Sequence, residues 1–131
     1  MNFKKSQRLF KKTLKDECDI FSKKRTRVNG QWKEAYIRVG HQVKCRVSTV
    51  VRQNTEQTPQ ERQEFVTPYV IYMLPMDVKQ DDRILFKNLW YEVKTKPRNP
   101  SFADHHYELP VDTTDQEYKI IEVDGVVMLD V

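Results

Sequence analysis

Residues 83–94 read Arg-Ile-Leu-Phe-Lys-Asn-Leu-Trp-Tyr-Glu-Val-Lys. Arg83 to Phe86 and Leu89 to Lys94 are strand-like runs rich in branched and aromatic side chains, and the two residues between them, Lys87 and Asn88, suit a tight turn. This is a β-hairpin. Side chains alternate across a strand, so Leu89, Tyr91 and Val93 are expected on one face and Trp90 and Glu92 on the other.

Outward from this hairpin the same rhythm repeats. On the C-terminal side His105, Tyr107, Leu109 and Val111 alternate with polar neighbours, and Asp124-Gly125 turns the chain between Tyr118 to Val123 and Val126 to Leu129. On the N-terminal side Phe65 to Leu74 is rich in aromatic and β-branched residues, with Pro68 pushing it toward a sheet edge or a bulge. Val43, Cys45 and Val47 alternate with Lys44 and Arg46, as in a half-buried strand. Asn29-Gly30 predicts a tight turn between a brief strand at Asp19 to Ser22 and an extended run from Trp32 to Val39. Gly40-His41 reads as a further turn.

Two segments depart from this pattern. Asn2 to about Lys15 reads as helix, with Phe3, Phe10 and Leu14 near one face and lysines elsewhere. Its apolar stripe is thin, so it is expected to lie on the body or on a neighbouring subunit. The other is Arg52 to Glu64, thirteen residues whose one apolar side chain is Pro59. Such a segment cannot build a core, and long loops of this kind in compact domains tend to be functional or disordered. The expected architecture is one mostly β domain: a helix at 1–17 and a small antiparallel β-barrel over 18–131, with the long polar loop at 52–64.

Length and composition agree with a single core. The chain has 131 residues, 38% hydrophobic and 32% charged. A domain of that size buries roughly two thirds of the surface its unfolded chain exposes. No apolar run approaches the roughly 20 residues that cross a bilayer, and no secretory signal is evident, so the chain reads as cytoplasmic with no membrane partner. Cys18 and Cys45 are too few and too far apart for a disulfide framework or a zinc site, and read as free thiols. The formal charge is +4, but residues 1–33 carry eleven Lys/Arg against three Asp/Glu, so the remainder is net acidic. A basic segment of this kind suits nucleic acid, an anionic membrane or an acidic protein surface, and charge alone does not choose among them.

No catalytic constellation emerges from the residues. His105 and His106 are adjacent, and on a strand they would point to opposite faces and not cooperate. His41 belongs to an expected surface turn. His41 and Cys45 have an i, i+4 spacing that makes a metal site on a helix, whereas their segment reads as turn and strand. Asp81-Asp82 and Asp112 to Asp115 lack the spaced oxygens of a calcium loop. The three glycines, at 30, 40 and 125, are too dispersed to cradle phosphate, and no cofactor is expected. Lys23, Lys24, Arg25 and Arg27 adjoin Trp32, which is compatible with a basic barrel that binds single-stranded nucleic acid. Trp32, Tyr36 and Trp90 are more often core or interface residues than stacking platforms.

The stretch Met76 to Leu109 resembles a pattern of small neck proteins of long-tailed phages and related prophages, the head-closure or stopper group of head–tail connector proteins. An acidic turn, Asp81-Asp82, leads into Arg83-Ile84-Leu85-Phe86, then a tight turn, a Tyr91-Glu92-Val93 strand, a basic Lys94 to Arg98 segment and a His-containing strand at His105 to Leu109. The resemblance covers the middle third strongly and the rest loosely. It implies a non-enzymatic protein of the host cytoplasm during assembly and of the virion neck thereafter. Its partners would be portal and adaptor proteins, tail-completion or tail proteins, other copies of itself in a ring, and packaged DNA. It further implies that Gln53, Asn54, Thr55, Glu56, Gln57 and Thr58 gate the channel, and a ring would bring Lys23, Lys24, Arg25 and Arg27 to an acidic neighbour or to DNA.

Overall fold

A computed structural model of the chain describes residues 3–49 and 68–130. One helix, α1 (Phe3–Lys11), precedes eight strands: β1 (Asp16–Val28), β2 (Gln31–Thr49), β3 (Tyr69–Met73), β4 (Arg83–Phe86), β5 (Leu89–Val93), β6 (Tyr107–Thr113), β7 (Lys119–Val123) and β8 (Val126–Asp130). All the pairings are antiparallel. Six strands, in the order β1-β4-β5-β6-β3-β2, close on themselves through β1 and β2, and β8 and β7 extend the sheet from β2. The mostly β, barrel-like body expected from the sequence is thus a closed ring of six strands with a hairpin attached outside it.

The three turns expected from the sequence form where a left-handed backbone is needed twice in succession. Asn29 and Gly30 have φ of 51° and 81°, Lys87 and Asn88 have 49° and 63°, and Asp124 and Gly125 have 52° and 80°. Two consecutive positive φ values match the right-handed twist of the flanking strands, and asparagine, aspartate and glycine tolerate them best.

Two apolar clusters hold the body together. The ring interior is filled by Cys18, Ile20, Cys45, Ile71, Met73, Ile84, Tyr91, Val93, Leu109 and Val111. A second cluster, Phe21, Trp90 and Leu129, with Tyr36, Leu85, Tyr118 and Val127 against it, lies on the outer side of β4 and β5. Successive residues of one strand therefore serve different clusters: Ile20 points inward and Phe21 outward, as do Tyr91 and Trp90. The β7–β8 hairpin is what covers the outer face. Trp90 meets Tyr118 edge-on at 5.1 Å and Phe21 at 5.5 Å.

Several expectations are corrected. The helix ends at Lys11 rather than near Lys15, because the Thr13 hydroxyl donates to the Phe10 carbonyl (2.7 Å) and the chain then drops Leu14 into the body before β1 starts at Asp16. Gly40-His41 is not a turn. It is a bulge within one long β2, where the register slips between Cys18 and Phe21 and Gln42 takes φ 50°. Glycine is required there by space: a Cβ on Gly40 would lie 2.7 Å from Val43 Cγ2 and 3.2 Å from Met76 Cε. β3 is not a sheet edge, since β2 and β6 flank it, and Pro68 immediately precedes the strand, where its missing N–H costs no ladder bond. Leu89 is 55% exposed because it opens its strand beside the turn, beyond the cover that Tyr91 and Val93 receive.

Candidate functional site: a basic arm and its anchorage

β1 and β2 are much longer than the ring needs. β1 pairs with β4 only over Asp19 to Phe21, and β2 pairs with β8 at Ile37. Beyond Ser22 the two strands pair only with each other among the described residues, down to Val28 opposite Gln31. Six residue steps from Ser22 to Val28 carry this two-stranded arm roughly 20 Å past the body. Residues 23–34 hold five basic side chains and one acidic.

Register sorts the arm into two faces. Lys23 lies opposite Tyr36, Arg25 opposite Glu34 and Arg27 opposite Trp32, so these six share one face, while Lys24 and Lys33 belong to the other. The four basic residues singled out from the sequence are thus brought onto one arm but divided three to one between its faces. Trp32 is 61% exposed, with the Arg25 and Arg27 guanidinium carbons 5.7 and 5.8 Å from its ring centre. Each such exposed cation–π contact contributes about 0.5–1 kcal/mol. Lys23 is also 3.5 Å from the Glu34 carboxylate. Of the three aromatics weighed from the sequence, Trp90 belongs to the core, Tyr36 is half-buried against it, and Trp32 stands in the open.

The arm leaves the body at a buried polar anchor between Ser22 and Asp82, a pairing the sequence does not reveal although Asp82 belongs to its acidic turn. Ser22 and Asp82 are 2% and 3% exposed, and the Ser22 hydroxyl donates to Asp82 Oδ1 at 2.6 Å. The other carboxylate oxygen accepts from the Lys79 backbone N–H at 2.9 Å. Burial pushes the Asp82 carboxyl above its ordinary value, against the opposing pull of these hydrogen bonds and of Lys79. Beside it Arg83 donates to the Tyr118 hydroxyl (2.9 Å), stacks over Tyr36 at 5.0 Å and stands 3.6 Å from Glu92. Burial opposes its charge, but the Tyr118 hydrogen bond and electrostatic attraction to the Tyr36 and Tyr118 hydroxyls and the Glu92 carboxylate outweigh this and raise its pKa. Arg83 therefore ties the arm base, β5 and the entry to β7 together.

Other singled-out residues fall elsewhere. Gln53, Asn54, Thr55, Glu56, Gln57 and Thr58 lie outside the described residues. Their strands are placed, however: Thr49 and Tyr69 are register partners, so β2 ends and β3 begins at adjacent points of one rim. His105 and His106 do not point apart, because they precede β6 rather than lie within it. Their Nδ1 atoms are 2.9 Å apart, and together they seat α1: Phe10 stacks on His106 at 4.8 Å, Phe3 meets His105 at 5.5 Å, and Ser6 Oγ is 3.0 Å from His105 Nε2. His41 Nδ1 is 3.1 Å from the Asp19 carboxylate at the bulge. Cys18 and Cys45 are buried free thiols, and the hydrogen bond with Cys45, then burial, pushes the Cys18 thiol far up. A thiol held protonated in this way is not a nucleophile. Among the described residues no three His, Cys, Asp or Glu side chains converge on a metal position, and no helix is long and apolar enough to cross a membrane.

No family model matches the chain, and no curated protein matches it. Among solved structures it is similar to the phage-like element PBSX protein xkdH from Bacillus subtilis, at 16% identity and a TM-score of 0.45, over 76% of this chain and 93% of that one.

Proposed function

We propose that this chain is a non-enzymatic phage or prophage neck protein that closes the DNA-filled head and joins it to the tail, working as a ring of identical copies beneath the connector. One observation carries the reading: the strand residues of the head-closure pattern, Arg83 to Phe86, Tyr91 to Val93 and Tyr107 to Leu109, fall on β4, β5 and β6, three successive neighbours of the closed ring, in the order the resemblance implies, with its histidines just before β6. The rim at Thr49 and Tyr69 supports the gating role of Gln53 to Thr58, because the described strands before and after that segment, β2 and β3, pair side by side there. Amide and hydroxyl side chains from symmetry-related copies could then hydrogen-bond across an axis and part on a signal.

Deletion of the gene in an inducible lysogen is the test. Filled heads that leak DNA and free tails that do not join them are the expected products, restored by the wild-type gene in trans. Normal tailed particles after deletion would overturn the proposal. Neighbouring reading frames for portal and capsid proteins on one side and tail proteins on the other would support it independently.

The exposed Trp32 between two arginines favours a second reading, a basic arm that binds single-stranded nucleic acid by stacking and phosphate contact. Oligonucleotide binding with a steep salt dependence, lost on Trp32→Ala, would favour it.

A further inference from the structure

We infer that the basic arm of one copy docks on the acidic β7 edge of the next copy, so that the same two surfaces repeat around the assembly. The inference deepens the ring reading above and rests on it. Both surfaces lie on this chain and both carry charge that is unpaired among the described residues. On the arm, Lys24, Arg25, Arg27 and Lys33 make no ion pair among the described residues. At the other end, residues 112–130 hold six acidic side chains and one basic. Asp115, Glu117, Glu122, Asp124 and Asp130 are exposed there, and they too make no ion pair among the described residues.

β7 is also the terminal strand of the sheet, paired only with β8 among the described residues, and it exposes 42% of Ile120. An open strand edge with an exposed branched side chain invites a partner strand or a covering segment. The arm offers an extended ribbon of opposite charge. Within one chain β8 joins β2 at Ile37, beside the arm's base, and among the described residues no ion pair forms between the arm and residues 112–130. The unpaired charges of the arm and of residues 112–130 can instead meet between copies in a heterologous contact, with different patches on the two partners, which makes a ring where the rotation closes. DNA on the arm would leave the acidic edge without a partner and would be repelled by it, so a second copy fits both surfaces where DNA fits one.

The test uses three forms of the full chain: wild type, an arm-reversed form (Lys24→Glu, Arg25→Glu, Arg27→Glu) and an edge-reversed form (Asp115→Lys, Glu117→Lys, Glu122→Lys). Sedimentation at millimolar protein and low salt measures association, and Trp32 emission reports burial of the arm. Wild type should associate with a blue shift that high salt reverses. Each reversed form alone should weaken association by at least about tenfold, and mixing the two should restore it, since each then meets its complement. Should a reversed form fail to fold, Arg27→Cys mixed with Glu122→Cys should give a disulfide-linked heterodimer under mild oxidation. Monomeric wild type, unaffected reversed forms, or no recovery on mixing and no cross-link would overturn the inference. Failure of the neck role reads differently. Tail joining that survives gene deletion sinks the neck role while leaving association in solution intact. Arm reversal that abolishes joining without rescue by edge reversal sinks the copy-to-copy contact alone.

Discussion

Asp82→Ala removes the acceptor that holds both the arm and the loop before β4. Two donors lose their partner: the Ser22 hydroxyl, at 2.6 Å from Oδ1, and the Lys79 N–H, at 2.9 Å from Oδ2. A buried donor left unsatisfied costs about 1–3 kcal/mol, and two would cost somewhat less than twice that, because the carboxylate's own burial penalty is relieved at the same time. A net loss of about 2–4 kcal/mol follows, which for a domain of this size lowers Tm by roughly 8–15 °C. Asp82→Asn keeps the shape and both hydrogen bonds, since its carbonyl accepts from Lys79 and its amide donates to a rotated Ser22 hydroxyl, so it should stay near wild type at neutral pH. The pH dependence separates the two forms. The carboxyl's folded-state pKa is raised above 3.8, so the folded state binds the proton more tightly than the unfolded state. Its stabilising contribution is fully present below 3.8 and is lost as pH rises through the folded value, and Asp82→Asn lacks this dependence. Urea unfolding followed by Trp90 fluorescence, in a Trp32→Phe background, measures both effects beside the site, because Trp90 packs on Phe21, the neighbour of Ser22. Wild-type stability in Asp82→Ala, or a wild type that gains stability over Asp82→Asn as pH rises across that window, would refute the reasoning.

Gly40→Ala should cost about 1–3 kcal/mol by urea unfolding, since its Cβ would press on Val43 Cγ2 at 2.7 Å within the bulge. Trp90→Ala should cost about 3–5 kcal/mol and loosen the β7–β8 hairpin, seen as faster amide exchange over residues 119–130, because Trp90 is the side chain that this hairpin covers. His105→Ala removes the Ser6 contact and the edge partner of Phe3 and Phe10, so amides of α1 should exchange faster while those of the ring strands keep their protection. Equal protection of α1 in that variant would show that the helix is held by other contacts.

Local signals carried most of the strands and three of the turns, and long-range contacts decided the rest. Asn29-Gly30, Lys87-Asn88 and Asp124-Gly125 were legible because a two-residue turn states its backbone demand in the residues themselves. The double burial of β5 was not, because Trp90 is outward by alternation and becomes core only when Tyr118 and Leu129 arrive from the far end of the chain. Gly40-His41 misled for a related reason: a glycine beside a polar residue looks alike in a turn and in a bulge, and only the pairing of β1 with β2 on both sides of it distinguishes them. That one difference joined two expected short strands into β2, whereas the arm arises because β1 runs on past Ser22 to Val28. The charges of Lys23 to Arg27 were visible from the start, but their division between two faces depended on register with residues 31–36. The Ser22–Asp82 anchor joins residues sixty positions apart, and nothing in the sequence near either one announces it.

The two halves of the molecule have different tasks, and the anchor couples them. Both apolar clusters lie in the ring and its attached hairpin, whereas the arm beyond Ser22 has exposed charge, an exposed tryptophan and two strands that hold only each other. Reversing Lys24, Arg25 and Arg27 should therefore lower Tm by at most roughly 4–8 °C, the worth of the two Trp32 cation–π contacts, since exposed charges otherwise contribute little to stability. Ser22→Ala behaves otherwise. It leaves the ring clusters untouched but frees the point at which the arm's direction is set, so association or tail joining should fall further than the lost hydrogen bond, about 1 kcal/mol, would explain through stability alone. Measuring Tm and association on the same Ser22→Ala protein decides the matter: equal proportional losses would mean that the anchor only stabilises the fold, and a larger loss of association would mean that it aims the arm.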